Sequence, residues 1–442
     1  MRTTTWVRVV MAGLLLAVVA APVAQADQVK LNVALGKPFL MADKQQKAFL
    51  KVGLTGFVMK DEAERTPVNV AVVIDKSGSM SGEKIQKAKE AALMAIGKLS
   101  AKDIVSVVAY NHTVEVLLPA TKVADKAAIR AAIQKLSAGG NTALFAGVSK
   151  GADELRKFLD KDRANRIILL SDGLANVGPS SPAQLGELGL SLIKEGISVT
   201  TVGLGSDYNE DLMTELARRS DGNHAFVSEP ADLARIFKLE FGDVLAVVAQ
   251  EVVVKVTCAE GIRPLRLLGR KGEIDGQAVT TTLNQLTSQQ EKYLLIEVDV
   301  PAGEENSVRD VATVSLSYLN MHTKTTDRLT SAVAVRFTKS EKRVEGAANK
   351  DVLVAAVEQI GNDTNKRAVE LRDQGKVKEA EKLLKDNAEF LAAKATKLQS
   401  VRLRTQADFN NDNAGKLATD EWKEERKRMR DDQLQREAQR AY

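Results

Sequence analysis

The chain has 442 residues, 44% hydrophobic and 27% charged, with a net charge of +5 and only 4% aromatics. That length suggests more than one domain, and the composition suits folded cores rather than a disordered chain. Scarce aromatics and the lack of a dense basic block exclude a stacking platform for single strands and a DNA- or RNA-reading face, so no nucleic-acid partner is expected.

Residues 1–26 read as a secretory signal peptide. Arg2 and Arg8 give a positive start, residues 9–21 are an apolar run, and Ala24-Gln25-Ala26 fits small-residue cleavage. The run is too short for a bilayer, and no later run reaches that length, so no membrane span is expected after cleavage. The mature chain, starting at Asp27, is expected to be exported, either periplasmic or secreted to the extracellular space. The single cysteine, Cys258, excludes an intrachain disulfide and reads as a buried, inert thiol within a strand.

Residues 27–66 hold two strands with alternating polarity, 31–35 and 50–54. Two strands are not stable alone, so they are expected to complete a sheet elsewhere in the chain. Across 67–243 strands alternate with helices. The strands are 70–74, 104–109, 166–170, 198–202 and 225–227. The helices are 126–136, 144–158, 183–194, 210–220 and 231–241, together with one that Ser81 can cap and whose apolar stripe is Ile85, Ala88, Ala92, Leu93 and Ile96. This is the pattern of an α/β, doubly wound, mostly parallel, Rossmann-like sheet. Residues 244–340 are all strand, with alternation clearest over 312–318 and 333–337, and read as a β-sandwich. The α/β domain is expected to be inserted in that sandwich or followed by it. Residues 341–442 form a charged helical region. Ala368, Leu371, Gly375, Ala380, Leu383 and Leu384 there predict a helical hairpin, one copy being too few for a solenoid. Residues 423–440 mix both signs, as on a solvated helix face.

Asp75-Lys76-Ser77-Gly78-Ser79 directly follows the buried strand 70–74 and precedes a helix. In such an elbow alternate side chains turn toward one point. A carboxylate and two hydroxyls there make a hard-oxygen set suited to Mg²⁺, Mn²⁺ or Ca²⁺. Thr142 opens a helix after Gly139-Gly140-Asn141, and Asp172 ends the strand 166–170 in Ser171-Asp172-Gly173. Both belong at the carboxyl end of the sheet, where open parallel sheets bind ligands. Each element alone is ordinary: Thr142 as a helix cap, the elbow as a turn.

In these residues, and in Val202-Gly203-Leu204-Gly205, the chain resembles the von Willebrand factor type A family over residues 68–241, with a complete metal-ion-dependent adhesion site. The resemblance implies Ser77, Ser79 and Thr142 as ligands of a divalent cation, Mg²⁺ foremost with Mn²⁺ or Ca²⁺ as alternatives. It implies that Asp75 and Asp172 act directly or through water, and that a protein partner donates an Asp or Glu carboxylate as the last ligand. The whole chain is similar to exported bacterial proteins of that family. The function so implied is metal-dependent protein binding without catalysis; the alternative is an envelope assembly component working mainly through its helical tail.

Other signals are weaker. Ser81-Gly82-Glu83-Lys84 matches S-x-x-K, but no K-T-G strand accompanies it. Gly203-Leu204-Gly205 lacks the third glycine of a dinucleotide site and reads as a strand-end turn. His112, His224 and His322 lie on separate elements and read as surface or turn residues, poor material for a zinc site or a triad. Asp408-Phe409-Asn410-Asn411-Asp412 matches the start of a calcium loop, with Gly415, Leu417 and Glu421 in place only if two residues are inserted. A polar loop between helices is expected there.

Overall fold

The computed structural model describes residues 27–59 and 65–440, and the signal-peptide reading of residues 1–26 lies outside the described residues. The chain opens with strands β1 (Lys30–Leu35), β2 (Phe39–Met41) and β3 (Gln46–Thr55). An alternating stretch follows: β4 (Val68–Asp75), α1 (Glu83–Gly97), β5 (Ile104–Tyr110), β6 (Val114–Lys122), α2 (Lys126–Gln134), α3 (Leu144–Arg156), β7 (Ala164–Ser171), α4 (Pro182–Lys194), β8 (Ile197–Leu204), α5 (Glu210–Arg219), β9 (His224–Val227) and α6 (Leu233–Leu245). Seven strands come next: β10 (Val247–Cys258), β11 (Arg263–Leu268), β12 (Glu273–Asp275), β13 (Ala278–Thr287), β14 (Glu291–Val300), β15 (Val308–Asn320) and β16 (Thr326–Thr338). Helices α7 (Glu341–Gly346), α8 (Lys350–Asp373), α9 (Val377–Leu398), α10 (Val401–Lys416) and α11 (Trp422–Glu437) close the described chain.

Among the described residues three sheets form. The central one runs β6-β5-β4-β7-β8-β9, parallel except for β6. Every residue of β4, β5, β7 and β8 is buried, which is why these segments are nearly continuous apolar runs. Alternation in β4 separates two cores. Val70, Val72 and Ile74 meet α1 and α6, whereas Ala71 and Val73 meet α3, α4 and α5. Strand β6 has no counterpart among the sequence expectations. It is an edge strand, only half-buried and carrying Pro119, so it lacks the apolar run of its neighbours.

The other two sheets face each other as a sandwich. One runs β1-β3-β14-β11 and the other β12-β13-β10-β15-β16-β2. Strand β3 pairs along its length with β14, from Thr55 opposite Glu291 to Gln46 opposite Val300. Leu50, Val52 and Leu54 of β3 share one core with Val252, Val254, Val314, Leu316 and Phe337. The β1–β3 stretch and the β10–β16 stretch thus build the same layers, on either side of the α/β stretch in sequence. Where the chain enters and leaves that stretch the two connections touch: Thr66 Oγ1 donates to Val247 O at 2.8 Å. Cys258 is buried in the sandwich, and burial pushes its thiol pKa up.

The tail is more than a hairpin. Ala368 of α8 and Leu384 of α9 share a core with Leu417 and with Met429 of α11. Residues 408–412 are not a loop but lie within α10. Asn410 serves helix packing: Asn365 Nδ2 and Asn387 Nδ2 donate to its Oδ1 at 3.0 and 2.9 Å. With the backbone helical through these residues and Asn410 Oδ1 turned to neighbouring helices, the chain cannot wrap a cation there, and the calcium-loop alternative is overturned. The expected solvated face at 423–440 is also overturned. Helix α11 lies on the α/β layer, with Lys427 only 3% exposed. Its ammonium donates to Tyr208 O at 2.9 Å and pairs with Glu210 at 2.5 Å. Arg426 reaches Asp211 and Asp373, both at 2.7 Å. Among the described residues no helix is long and apolar enough to cross a membrane.

Beside the entry connection Arg65 pairs with Asp103, whose side chain is fully buried. Burial alone would raise the Asp103 pKa, but Arg65 and the backbone N–H groups of Ser100 and Val68 outweigh it and hold the carboxyl below its ordinary value. That stabilisation is present above the ordinary carboxylate range and is lost as pH falls through the lowered value. Arg65→Met leaves the carboxylate buried without its cation and is expected to cost about 3–5 kcal/mol at neutral pH, read by urea unfolding. A loss under about 1 kcal/mol would mean the pair contributes no more than a surface one.

Candidate metal centre

After β6 the chain crosses to the far side of β4 to lay down β7. The loops leaving β4 and β7 therefore diverge, and the crevice between them is the ligand position of a doubly wound sheet. Asp75 is the last residue of β4 and Asp172 follows the last residue of β7. Both are fully buried.

Asp75 is held from two sides. Its Oδ1 accepts from Ser77 N at 2.7 Å, and its Oδ2 accepts from Ser171 Oγ at 2.7 Å. Burial pushes its carboxyl pKa up to about 6, with Asp172 adding to the rise and the Ser77 and Ser171 bonds opposing it. The elbow after Asp75 is fixed by backbone bonds to neighbouring loops. Lys76 N donates to Tyr110 O at 2.7 Å, and Gly78 N to Gly140 O at 2.9 Å. This turns both elbow hydroxyls the same way, with Ser77 Oγ and Ser79 Oγ 3.1 Å apart. Ser79 Oγ donates to Asp172 Oδ1 at 2.7 Å. Thr142 is held by Asn176, whose Oδ1 accepts from Thr142 N at 2.9 Å.

Glycine at 173 keeps the meeting point open. A Cβ there would lie 3.0 Å from Thr142 Oγ1, 3.2 Å from Ser79 Oγ and 3.5 Å from Ser77 Oγ. Three hydroxyl oxygens from two loops thus surround one small space beside two buried carboxylates. Among the described residues no group of three or more His, Cys, Asp or Glu side chains is arranged to hold a metal. The donors at this point are hydroxyls with carboxylates behind them, a set that fits a hard cation such as Mg²⁺. Ser77, Ser79, Thr142 and Asp172 meet in one cluster, and Asp75 sits beneath it, bonded to the backbone of Ser77.

Several participants escape sequence reasoning. Lys84 Nζ donates to Asp172 Oδ2 at 2.6 Å, giving that carboxylate an internal cation. The S-x-x-K match contained this lysine, but nothing in the spacing points to its partner. Ser171 lies inside a quoted motif, whereas Asn176 has no signal at all. Ser81 does not cap α1. Gly82 occupies that position with φ +79°, and Ser81 Oγ donates to Gly78 O at 2.8 Å instead. Nor does Thr142 cap α3, whose first position outside is Ala143. His224 is not a surface residue. It is fully buried, bonded to Thr201 Oγ1 at 2.8 Å and to Tyr208 OH at 3.2 Å. Burial, helped by Lys427, pushes its pKa down to about 3.

Residues 69–238 match the family model of the von Willebrand factor type A domain. Uncharacterized protein sll0103 of Synechocystis is 32% identical over 41% of this chain and 42% of its own length. YfbK of Escherichia coli is 29% identical over 48% of this chain and 37% of its own. The match thus spans about two fifths of the length of these relatives. A solved von Willebrand factor type A structure from Catenulispora acidiphila superposes with a TM-score of 0.68 at 17% identity, covering 86% of this chain and 90% of that one. At that identity the likeness concerns the fold, and it extends beyond the α/β layer to the flanking sheets and tail.

Because the folded pKa of Asp75 lies above the ordinary 3.8, its contribution to stability is present at low pH and is lost as pH rises through about 6. Asp75→Asn keeps the shape and removes the charge. In chelator near pH 8 the variant is expected to be about 2–3 kcal/mol more stable than the parent chain, with the gap closing toward about pH 4. Denaturant unfolding across that range checks it, and parallel curves for the two chains would contradict it.

Proposed function

Since residues 69–238 form a von Willebrand factor type A domain, we propose that this chain is an exported protein-binding module that engages an Asp or Glu carboxylate of its partner through a divalent cation. Domains of this family are generally interaction modules and commonly bind a divalent cation. In our reading Ser77, Ser79 and Thr142 ligate the ion, with Asp75 and Asp172 acting directly or through water. The observation that carries it is the meeting of three hydroxyls beside Gly173, backed by two buried carboxylates.

Charge supports an acidic partner. Two carboxylates would neutralise a dication, but Lys84 already answers Asp172, so the assembled site keeps a net positive charge. When bound, the ion supplies a point of positive charge for an incoming carboxylate oxygen, and Mg²⁺ is the ion best suited to a shell of hydroxyls and water. Leu174, 59% exposed on the loop that carries Asp172, offers the partner an apolar contact at the rim. Export, to the periplasm or beyond, rests on the pattern of residues 1–26. No catalytic step is assigned. The assembly alternative is less well supported, because α11 spends much of its charge on the chain's own α/β layer.

Calorimetry with Mg²⁺ or Mn²⁺, with and without an acidic peptide, tests the reading. The parent chain is expected to bind one ion, Asp75→Ala none, and Thr142→Ala less tightly, since water can replace one hydroxyl. Lys84→Met removes the cation competing for Asp172 and is expected to tighten ion binding about tenfold or more. Partner capture should vanish with chelator and in Asp75→Ala. No ion binding to the parent chain, even with the peptide present, would overturn the proposal.

A further inference from the structure

Gly222 packs on Val199 near the start of β8, so the sheet edge there is the one opposite the metal centre. Beside it the end of α5, the β11–β12 turn, α8 and α11 enclose a cavity of about 400 Å³. All three parts of the fold contribute to its wall. Arg218, Arg219, Arg270, Lys271 and Lys366 line it, against Asp221, Asp363 and Glu437.

The charges are unevenly matched. Arg218 and Arg219 share one carboxylate, Glu215. Arg270 shares Asp221 with Lys292, at 3.0 and 3.6 Å. Lys366 takes both Asp363 and Glu437. Lys271 has no ion-pair partner among the described residues, and it lines the same cavity as Arg218, Arg219 and Arg270. Burial, then Arg218 and Arg219, hold its pKa below the ordinary lysine value. Burial, with Arg219 and Arg430 and against Glu437, lowers even the Arg218 pKa. With Glu215 and Lys292 included, six cations face four carboxylates. Like charges crowded in a partly buried space repel, and an anion placed among them removes that cost. Guanidinium groups from two elements and a free ammonium form a donor set for an oxyanion. Leu267 and Leu434 on the same wall leave room for an organic body.

We propose that this junction cavity binds a small oxyanion ligand, carrying a phosphate or a dicarboxylate, through Arg219, Arg270 and Lys271. Its occupant touches the α/β layer, the sandwich and the tail together, so binding stabilises the docked arrangement. The site is independent of the metal centre.

The test uses the full chain in chelator, which silences any ion site, at constant ionic strength. Inorganic phosphate, malonate and chloride are titrated by calorimetry and thermal unfolding. Saturable binding of phosphate or malonate at one per chain, with a rising Tm and no such response to chloride, is expected. The anion that binds identifies which oxyanion group the cavity takes. Lys271→Met, at an exposed position that leaves the fold intact, and Arg219→Gln are each expected to weaken binding about tenfold. Asp75→Ala is expected to bind the anion as the parent does. No saturable response to either anion, or equal binding by the parent and the two variants, overturns the proposal.

Discussion

A carboxylate buried at the end of a central strand is the constraint on which the rest of this structure depends. Every residue of β4 is covered on both faces, so its last side chain, Asp75, is delivered fully buried into the sheet edge. An isolated buried charge is costly, and hydrogen bonds from Ser77 and Ser171 answer it only in part. The loops around it then follow from the need to bring more oxygen chemistry to the same place. Backbone bonds from the elbow to the end of β5 and to the loop after α2 turn Ser77 and Ser79 inward, and glycine at 173 leaves space where the hydroxyls meet. A dication there would give Asp75 a counter-charge that the protein itself does not supply.

The remaining layers dock on the α/β layer and leave that edge open. The sandwich grips the α/β layer where the chain enters and leaves it, through Thr66 and Val247. The tail returns to the start of α5, where Lys423, Arg426, Lys427 and Arg430 meet Asp207, Glu210 and Asp211. That acidic patch is therefore neutralised from within.

Much of the fold is legible in the sequence for definite reasons. Residues 70–74 and 166–170 read as buried strands because strands covered on both faces are nearly continuous apolar runs. The strands at 31–35 and 50–54 read as half-buried, and their need for partners points beyond themselves. What escapes is what depends on neighbours. Strand β6 lies at an edge, and its polar residues and Pro119 look like a loop. His224 carries no mark of burial, since Tyr208 and Thr201 reach it only in the folded chain. The charges of 423–440 look solvated because sequence shows their signs but not the acidic patch they meet. Asp75, Ser77, Ser79 and Asp172 stand out because a strand end fixes where each falls, and Thr142 because it opens a helix after a glycine turn. The Lys84–Asp172 pair does not, because it joins residues of different elements with no spacing rule between them.

The central claim is that one hard cation sits among Ser77, Ser79 and Thr142. Diffraction from Mn²⁺-soaked crystals, recorded for anomalous signal, tests it most directly. The account predicts a single strong peak beside Gly173, within bonding distance of those three hydroxyl oxygens, that disappears in crystals of Asp75→Ala. A peak elsewhere with none beside Gly173, or none at all under conditions where a control Mn²⁺ protein gives one, would contradict it.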